Sequence, residues 1–455
     1  MSAPGGAEGG VGAAAAAGSA GEGALKKGSL GWINVAALGA AIAISGNFSG
    51  WNYGLAVGGW GGMLVAALGM ALLFFILTQC LAELAAMLPQ GGGFDYYAEY
   101  GLGSTAGYLA GMSVAVALAV GAGLATSFAE GYTAAMLGVQ GWPVKIGLFV
   151  VVMALQMRGA SEAVGATMVV GLIALGILLA FCIFLAPHFQ VEHLLTQTST
   201  GRTAFPRGLL GIAQCIPFAL FLFLGVEQAA HAASEVQDVE RSMPKALLVA
   251  ICIAFGIGFC VLLFATGSAG TGQLATANDP LYVAVASAPA GAGTRMMEKL
   301  VATGALVALI GTFFSLAYAG SRQFYHLAGA RYLPAFLHRT NSRAAPVAAL
   351  LLVTAIGLVA AAFPPDSVMV VFIFLISVSY VLVLLAFIRL RRTQQSLLRP
   401  YRAVGGKWLA AVAILLTLAV MVSCYQLQAV ALSYAIAALV VVGLLKPRNL
   451  RERKS

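Results

Sequence analysis

Charge is what this sequence has least of. Of 455 residues only 9% are charged, with 16 acids and 5 histidines, and no polar stretch is long enough to build a water-soluble domain. The phosphate-cradling pattern Gly-x-x-x-x-Gly-Lys-Ser/Thr is missing, so the chain carries no ATPase of its own. The six cysteines (Cys80, Cys182, Cys215, Cys252, Cys260, Cys424) all fall within or beside apolar runs, with no close pair at metal-ligand spacing. They read as small buried hydrophobes rather than as a metal or redox centre. Gly159-Ala160-Ser161 with His231 or His326 supplies a serine and a histidine, yet nothing places them together, and the chain holds no catalytic set of an enzyme. The net charge of +9 comes without a basic patch interleaved with aromatics, which excludes nucleic acid as a partner.

What the chain has is apolar length. Hydrophobic residues make up 60% of it and mean hydropathy is +0.92. A spanning helix needs roughly 20 apolar residues, and about twelve can be placed: 32–56, 60–86, 104–134, 143–158, 162–187, 208–231, 245–268, 298–321, 345–362, 367–388, 408–424 and 427–445. The fold class expected is an all-α integral membrane protein. Lys and Arg in the short loops fix its orientation. With the N-terminus cytoplasmic, 20 of the 25 basic residues fall inside, leaving Lys145, Arg202, Arg207, Arg295 and Lys299 outside. That bias predicts an even helix count, both termini in the cytoplasm and a place in the cell inner membrane.

Residues 1–27 are mostly Gly, Ala and Ser and read as a disordered cytoplasmic tail. Lys26 and Lys27 come after the alanine run and directly before the first full span, so that span reads as an uncleaved signal anchor. The transporter domain is expected over 28–445, and residues 446–455 form a basic cytoplasmic tail.

Two spans are interrupted near their middles, at Ser45-Gly46-Asn47-Phe48-Ser49-Gly50 and at Leu224-Gly225-Val226-Glu227. Unpaired backbone groups cost several kcal/mol each in a bilayer core, so such gaps persist only where they line a cavity. Paired interruptions in two halves of a chain point to a secondary transporter's binding site. The halves predicted are a five-plus-five inverted repeat, about 30–187 and 207–390, with helices 1 and 6 broken and two extra C-terminal helices over about 407–445.

Four segments then carry a resemblance. They are Ile44 to Gly50; Ala82-Glu83-Leu84-Ala85 with Pro89, Gly91-Gly92 and Tyr96-Tyr97; Phe223-Leu224-Gly225-Val226-Glu227 continuing through Ser234-Glu235 to Pro244-Lys245; and Ser321-Arg322 through Tyr332-Leu333-Pro334. In this order they resemble the amino acid–polyamine–organocation superfamily over residues 30 to 445, and the run Ile44 to Leu55 is similar to the start of ethanolamine permeases. The resemblance implies a carrier working by alternating access. Amino acid carriers of that superfamily show Gly-small-Gly at the first break, where a carboxylate approaches exposed amides. Here Gly50-Trp51-Asn52 stands instead, which suits a small cation with a hydroxyl that Asn47, Ser49 or Asn52 would meet. A neutral amino acid permease, and more remotely a transporter-like nutrient receptor, are the alternatives.

The substrate site is expected to comprise Ser45, Gly46, Asn47, Phe48, Ser49, Gly50, Trp51, Phe221, Leu224, Gly225 and Glu227. Glu227 lies at membrane depth, where an ionisable group is functional by default. It reads three ways: a partner for the substrate ammonium, the carrier of a coupling proton, or a structural acid on the unwound backbone. Phe221 matches the place where relatives close an aromatic over substrate, and Trp51 and Tyr53 flank the first break; each reads equally as packing. Proton-linked relatives place a lysine in span five, but Ala163 to Leu185 holds no base, and Thr312 and Ser315 are the candidates for a less expected sodium site. No cofactor is expected beyond a coupling ion, and the partners are a small amine or amino acid and membrane lipid.

Near the ends, Glu83 and Arg322 suggest either inner-gate pairing or snorkelling, and Glu130 an interfacial acid. Glu235, Asp238 and Glu240 beside Arg241 and Lys245 suggest a solvated loop. Gly107 and Gly111 read as a close-packing Gly-x-x-x-Gly, and Asn47-Phe48-Ser49 is a glycosylation triplet only by coincidence, being at membrane depth.

Overall fold

A computed structural model describes residues 31–88, 93–158, 163–199, 201–231, 236 and 238–444. Outside them lie both tails, Pro89, Gly91-Gly92, Gly159-Ala160-Ser161 and Ser234-Glu235. The chain is helical almost throughout, since a low-dielectric surround leaves the backbone no other way to satisfy its own hydrogen bonds. Among the described residues sixteen helices follow one another: α1 Trp32–Ile44, α2 Tyr53–Met87, α3 Phe94–Leu102, α4 Ser104–Leu137, α5 Trp142–Met157, α6 Ala163–Leu185, α7 Gly208–Phe221, α8 Gln228–His231, α9 Val239–Ala269, α10 Thr271–Leu274, α11 Pro280–Ala286, α12 Ala292–Gly329, α13 Val347–Ala360, α14 Pro365–Thr393, α15 Gly406–Leu427 and α16 Ala429–Leu444.

Seven of these are long and apolar enough to cross a membrane, and α5, α7 and α13 are shorter apolar helices. The first two expected spans meet without a loop. Tyr53 to Met87 runs as one element, kinked at Gly59 where φ is 67°. A side chain there would stand 2.6 Å from Pro206 as well as adopting a conformation only glycine reaches cheaply. Residues 53–58 are therefore the second half of span one. The expected span 208–231 divides likewise into α7 and α8.

Helix α4 is the axis of the molecule. It is lined with Ala, Gly and Ser, buried along most of its length, and packs against α12, α14, α13 and α3. Small residues let helix backbones approach closely when lipid supplies no hydrophobic drive. The Gly-x-x-x-Gly expectation fits: a Cβ at Gly107 would lie 2.5 Å from Glu99 in α3, and one at Gly111 would lie 2.7 Å from Leu327 in α12. Opposite, α2 packs along α7 and α1 along α9. Large apolar side chains such as Leu72, Val150, Ile183 and Val359 face outward, as a lipid-facing belt requires.

Three small elements were not legible in the sequence. Helix α3 buries Phe94, Tyr97, Ala98 and Gly101 on one face. A β-hairpin of Thr196–Thr198 (β1) and Gly201–Thr203 (β2) leads into Ala204, whose carbonyl accepts the Gly61 N–H at 3.0 Å. Helices α10 and α11, joined by residues 275–279, fold over the first break.

Candidate functional site

Helix α1 ends at Ile44 in a tight turn, Ser45–Asn47, and regular helix resumes only at Tyr53. Ser, Asn and Gly interrupt a helix because their side chains, or the absence of one, offer the backbone other conformations and partners. Gly50 takes φ of 100° and donates its N–H to Asn52 Oδ1 at 3.0 Å. The fully buried Trp51 donates its indole N–H to the Asn47 carbonyl at 2.9 Å. The Phe48 carbonyl accepts the Tyr132 hydroxyl at 2.6 Å, and the Phe48 ring is buried in the core. Ser45 is half-buried, and Gly46 presses on the Phe221 carbonyl, 2.9 Å from where a Cβ would stand.

The break is tied to the segment joining α10 and α11. Ser49 donates to the Asn278 carbonyl at 2.9 Å, Asn52 Nδ2 to the Leu274 and Ala277 carbonyls at 2.7 and 2.8 Å, and Tyr53 to Asn278 Oδ1 at 2.7 Å. Ser49 and Asn52, two of the three residues expected to meet a substrate hydroxyl, are thus engaged in closing this end. Asn47 is different. Its Nδ2 bonds the Ile44 carbonyl at 3.2 Å, while its buried Oδ1, facing Gly258 of α9, has no hydrogen-bond partner among the described residues.

Residues Leu222 to Glu227 unwind between α7 and α8. Gly225 takes φ of 103° and donates its N–H to Glu227 Oε2 at 2.7 Å. Glu227 is buried, and the Tyr380 phenol of α14 lies beside its carboxylate. Leu224 is half-buried. Phe221 covers the first break: a Cβ on Gly50 would stand 3.1 Å from its ring. Its neighbours are Phe128 at 6.2 Å and Phe372 at 6.4 Å, and Phe128 in turn meets Tyr53 at 6.3 Å. The structure therefore brings Gly46, Gly50 and Phe221 together, while the next turn of the second break, Val226 and Ala229, lies against Gly39 in α1.

Of the outlying expectations, Glu83 is the one with most structure around it. It is buried and held bidentately by Arg391 of α14, with Arg399 Nε at 3.3 Å and the Ala403 N–H at 2.7 Å. Arg322 stacks on Tyr318 instead, 3.4 Å from the ring centre. Glu130 pairs with Lys145 at 3.1 Å and accepts the Gly141 N–H at 2.6 Å, as an interfacial acid would. The hydroxyls of Thr312 and Ser315 bond back to carbonyls of their own helix, at 2.9 Å each. No group of His, Cys, Asp and Glu among the described residues has the arrangement of a metal site.

Two broken helices meeting inside a bundle of spanning helices define a multi-pass membrane transporter rather than an enzyme. The chain belongs to the amino acid permease family, whose pattern it matches over residues 30–445. It is 24% identical over 386 residues to the amino-acid permease RocC of Bacillus subtilis, covering 81% of this chain and 80% of that one. It is also 24% identical over 328 residues to the uncharacterized transporter R00093 of Rhizobium meliloti, covering 69% of each. In fold it matches the crystal structure of a histidine-to-alanine variant of the Eremococcus coleocola manganese transporter, with a TM-score of 0.60 at 13% identity over 91% of this chain and 94% of that one.

Proposed function

We propose that the chain is a secondary carrier of a small primary amine without a carboxylate, ethanolamine being the first candidate, alternating access around the two breaks. One observation carries this reading. The amides of Gly50 and Gly225, the backbone donors that a carboxylate would seek at the breaks, are both taken by side chains of the same chain, Asn52 and Glu227. The fully buried indole of Trp51 is bonded to the Asn47 carbonyl. The side-chain groups at the breaks are acidic and aromatic: the Glu227 carboxylate, which also caps Gly225, the Asn47 Oδ1 that has no hydrogen-bond partner among the described residues, and the ring of Phe221. An ammonium suits such a set, since a desolvated cation gains from both a carboxylate and a ring face.

The matched caps at Gly50 and Gly225 support an inverted repeat, with Glu227 the group best placed to carry a coupling proton. Sodium is less well provided for, because Thr312 and Ser315 already bond their own helix. In the proposed topology both termini lie in the cytoplasm and the Glu83 clamp faces it from the inner membrane.

A neutral amino acid is the second reading, favoured by the family and by the likeness to RocC, an amino-acid permease. Thermal stabilisation of the purified protein separates the two. A ligand at 100 times its dissociation constant adds ~2.7 kcal/mol to the bound state. Stabilisation by ethanolamine and not by alanine, serine or glycine is the expected result; stabilisation by alanine or serine alone makes the chain an amino acid permease.

A further inference from the structure

We propose that a cavity next to the first break is a second ligand site, separate from the central one, that takes a small organic cation. The cavity holds about 350 Å³ between the first turn of α2, the end of α7, residues 275–278, the start of α14 and the joint between α15 and α16. By the topology above it opens to the outside. Its volume falls within the range of small-molecule sites, roughly 300–1,000 Å³.

The wall has a definite chemical character. Tyr53 and Phe218 present aromatic faces set edge to face, 6.2 Å between centres, and Val370 adds apolar surface. Asp366 contributes a carboxylate, Asn278 and Gln428 contribute amides, and among the described residues no Lys, Arg or His lines the cavity. Among the described residues Asp366 makes no ion pair. A carboxylate beside aromatic rings in a partly enclosed cavity favours a cation with apolar bulk. An anion would meet the like charge of Asp366, and a bare divalent ion would find a single carboxylate among the lining residues.

The site stands outside the closed end of the carrier. Ser49 and Tyr53 both bond Asn278, and Asn278 also lines the cavity. A ligand seated against Asn278 therefore touches the segment that closes over the first break. The inference rests on this wall alone and does not require the central site to take an amine.

The test is isothermal titration of the purified full chain with choline and with its uncharged isostere, 3,3-dimethylbutan-1-ol. Choline should bind at least tenfold more tightly than the isostere. Asp366→Asn should erase that difference, Asp366→Glu should restore it, and Val57→Trp, at an apolar residue that lines the cavity and so filling it without altering charge, should abolish binding. Glu227→Gln, in the central site, should leave choline affinity unchanged. Unaltered choline binding in Asp366→Asn and Val57→Trp overturns the proposal, as does loss in Glu227→Gln alone, which would seat the cation centrally. Displacement of choline by equimolar sodium would make this an inorganic ion site and overturn the organic-cation assignment. Should ethanolamine fail to stabilise the protein while choline binding still depends on Asp366, the central reading falls and this one stands.

Discussion

Asn52 and Glu227 hold equivalent stations in the two breaks. Each stands two residues beyond a left-handed glycine, Gly50 or Gly225, and each accepts that glycine's N–H, at 3.0 and 2.7 Å. A break in a spanning helix exposes amides, and an amide without a partner in low dielectric is expensive. Here the same local solution serves twice with different chemistry: a neutral amide in the first break, an acid in the second. The geometry is shared, so the difference in charge is what sets Glu227 apart.

Glu227→Gln isolates that difference. The glutamine carbonyl still accepts the Gly225 N–H, so the break keeps its cap and the protein should fold with little change in melting temperature. On the proposed reading, uptake and binding of ethanolamine should fall by at least tenfold, because its ammonium would lose its counter-charge. Radiolabelled uptake in vesicles, alongside binding to the purified protein, decides it. Near-normal affinity with uptake that no longer varies with pH would move Glu227 from substrate contact to proton carrier.

Trp51 makes a second prediction, on selectivity. The indole is fully buried and bonds Asn47, so Trp51→Gly should cost about 3–5 kcal/mol, as large aromatic truncations do. Trp51→Phe keeps most of the volume and should retain both fold and substrate. In the folded fraction of Trp51→Gly, alanine or serine should begin to compete with ethanolamine, since removing the indole lets a carboxylate enter the break and contend with Asn52 for the Gly50 amide. Competition measured in whole cells reports this, and unchanged selectivity would remove Trp51 from the specificity argument.

How much of this was legible beforehand follows from what each signal depends on. Apolar length and the Gly/Ser/Asn gaps are local properties, so the spans and both breaks could be read from the sequence. The role of Asn52 was missed in part because its other partners, the Leu274 and Ala277 carbonyls, lie more than 200 positions away. Asn278 gave no signal for the same reason: a polar residue in a connecting loop looks like solvent until Ser49 and Tyr53 are folded onto it. The division between spans 32–56 and 60–86 does fall at Gly59; what stayed hidden is that no loop intervenes there, which only the backbone angle shows.

Glu83 illustrates the same limit and leads to a third prediction. Its position near a helix end left pairing and snorkelling equally open, yet it is buried and gathers Arg391, Arg399 and the Ala403 N–H from the far end of the chain. Removing one member of such a set leaves the others buried without a partner, at about 3–5 kcal/mol. Glu83→Ala should therefore lower the melting temperature sharply. Arg391→Lys should lower it as well, since an ammonium cannot reproduce the two parallel bonds to Glu83. Melting curves of the three proteins settle the matter, and a Glu83→Ala variant as stable as the wild type would make the clamp incidental.

Asp279 gives the pH dependence. It lies in the connection between α10 and α11, and burial raises its carboxyl above the ordinary carboxylate range. The folded state thus holds the proton more tightly than the unfolded chain does. The resulting stability is fully present below the unfolded value, near pH 4, and is lost as pH rises through the folded one. At neutral pH the charged, partly desolvated carboxylate works against the closed arrangement over Ser49 and Tyr53. Asp279→Asn should accordingly raise the melting temperature at pH 7 by a few degrees, and the gain should shrink as the pH is lowered toward 4. Paired melting curves across that range test it; a variant less stable than the wild type at pH 7 would mean that the ionised carboxylate stabilises the start of α11, and that this cap outweighs desolvation.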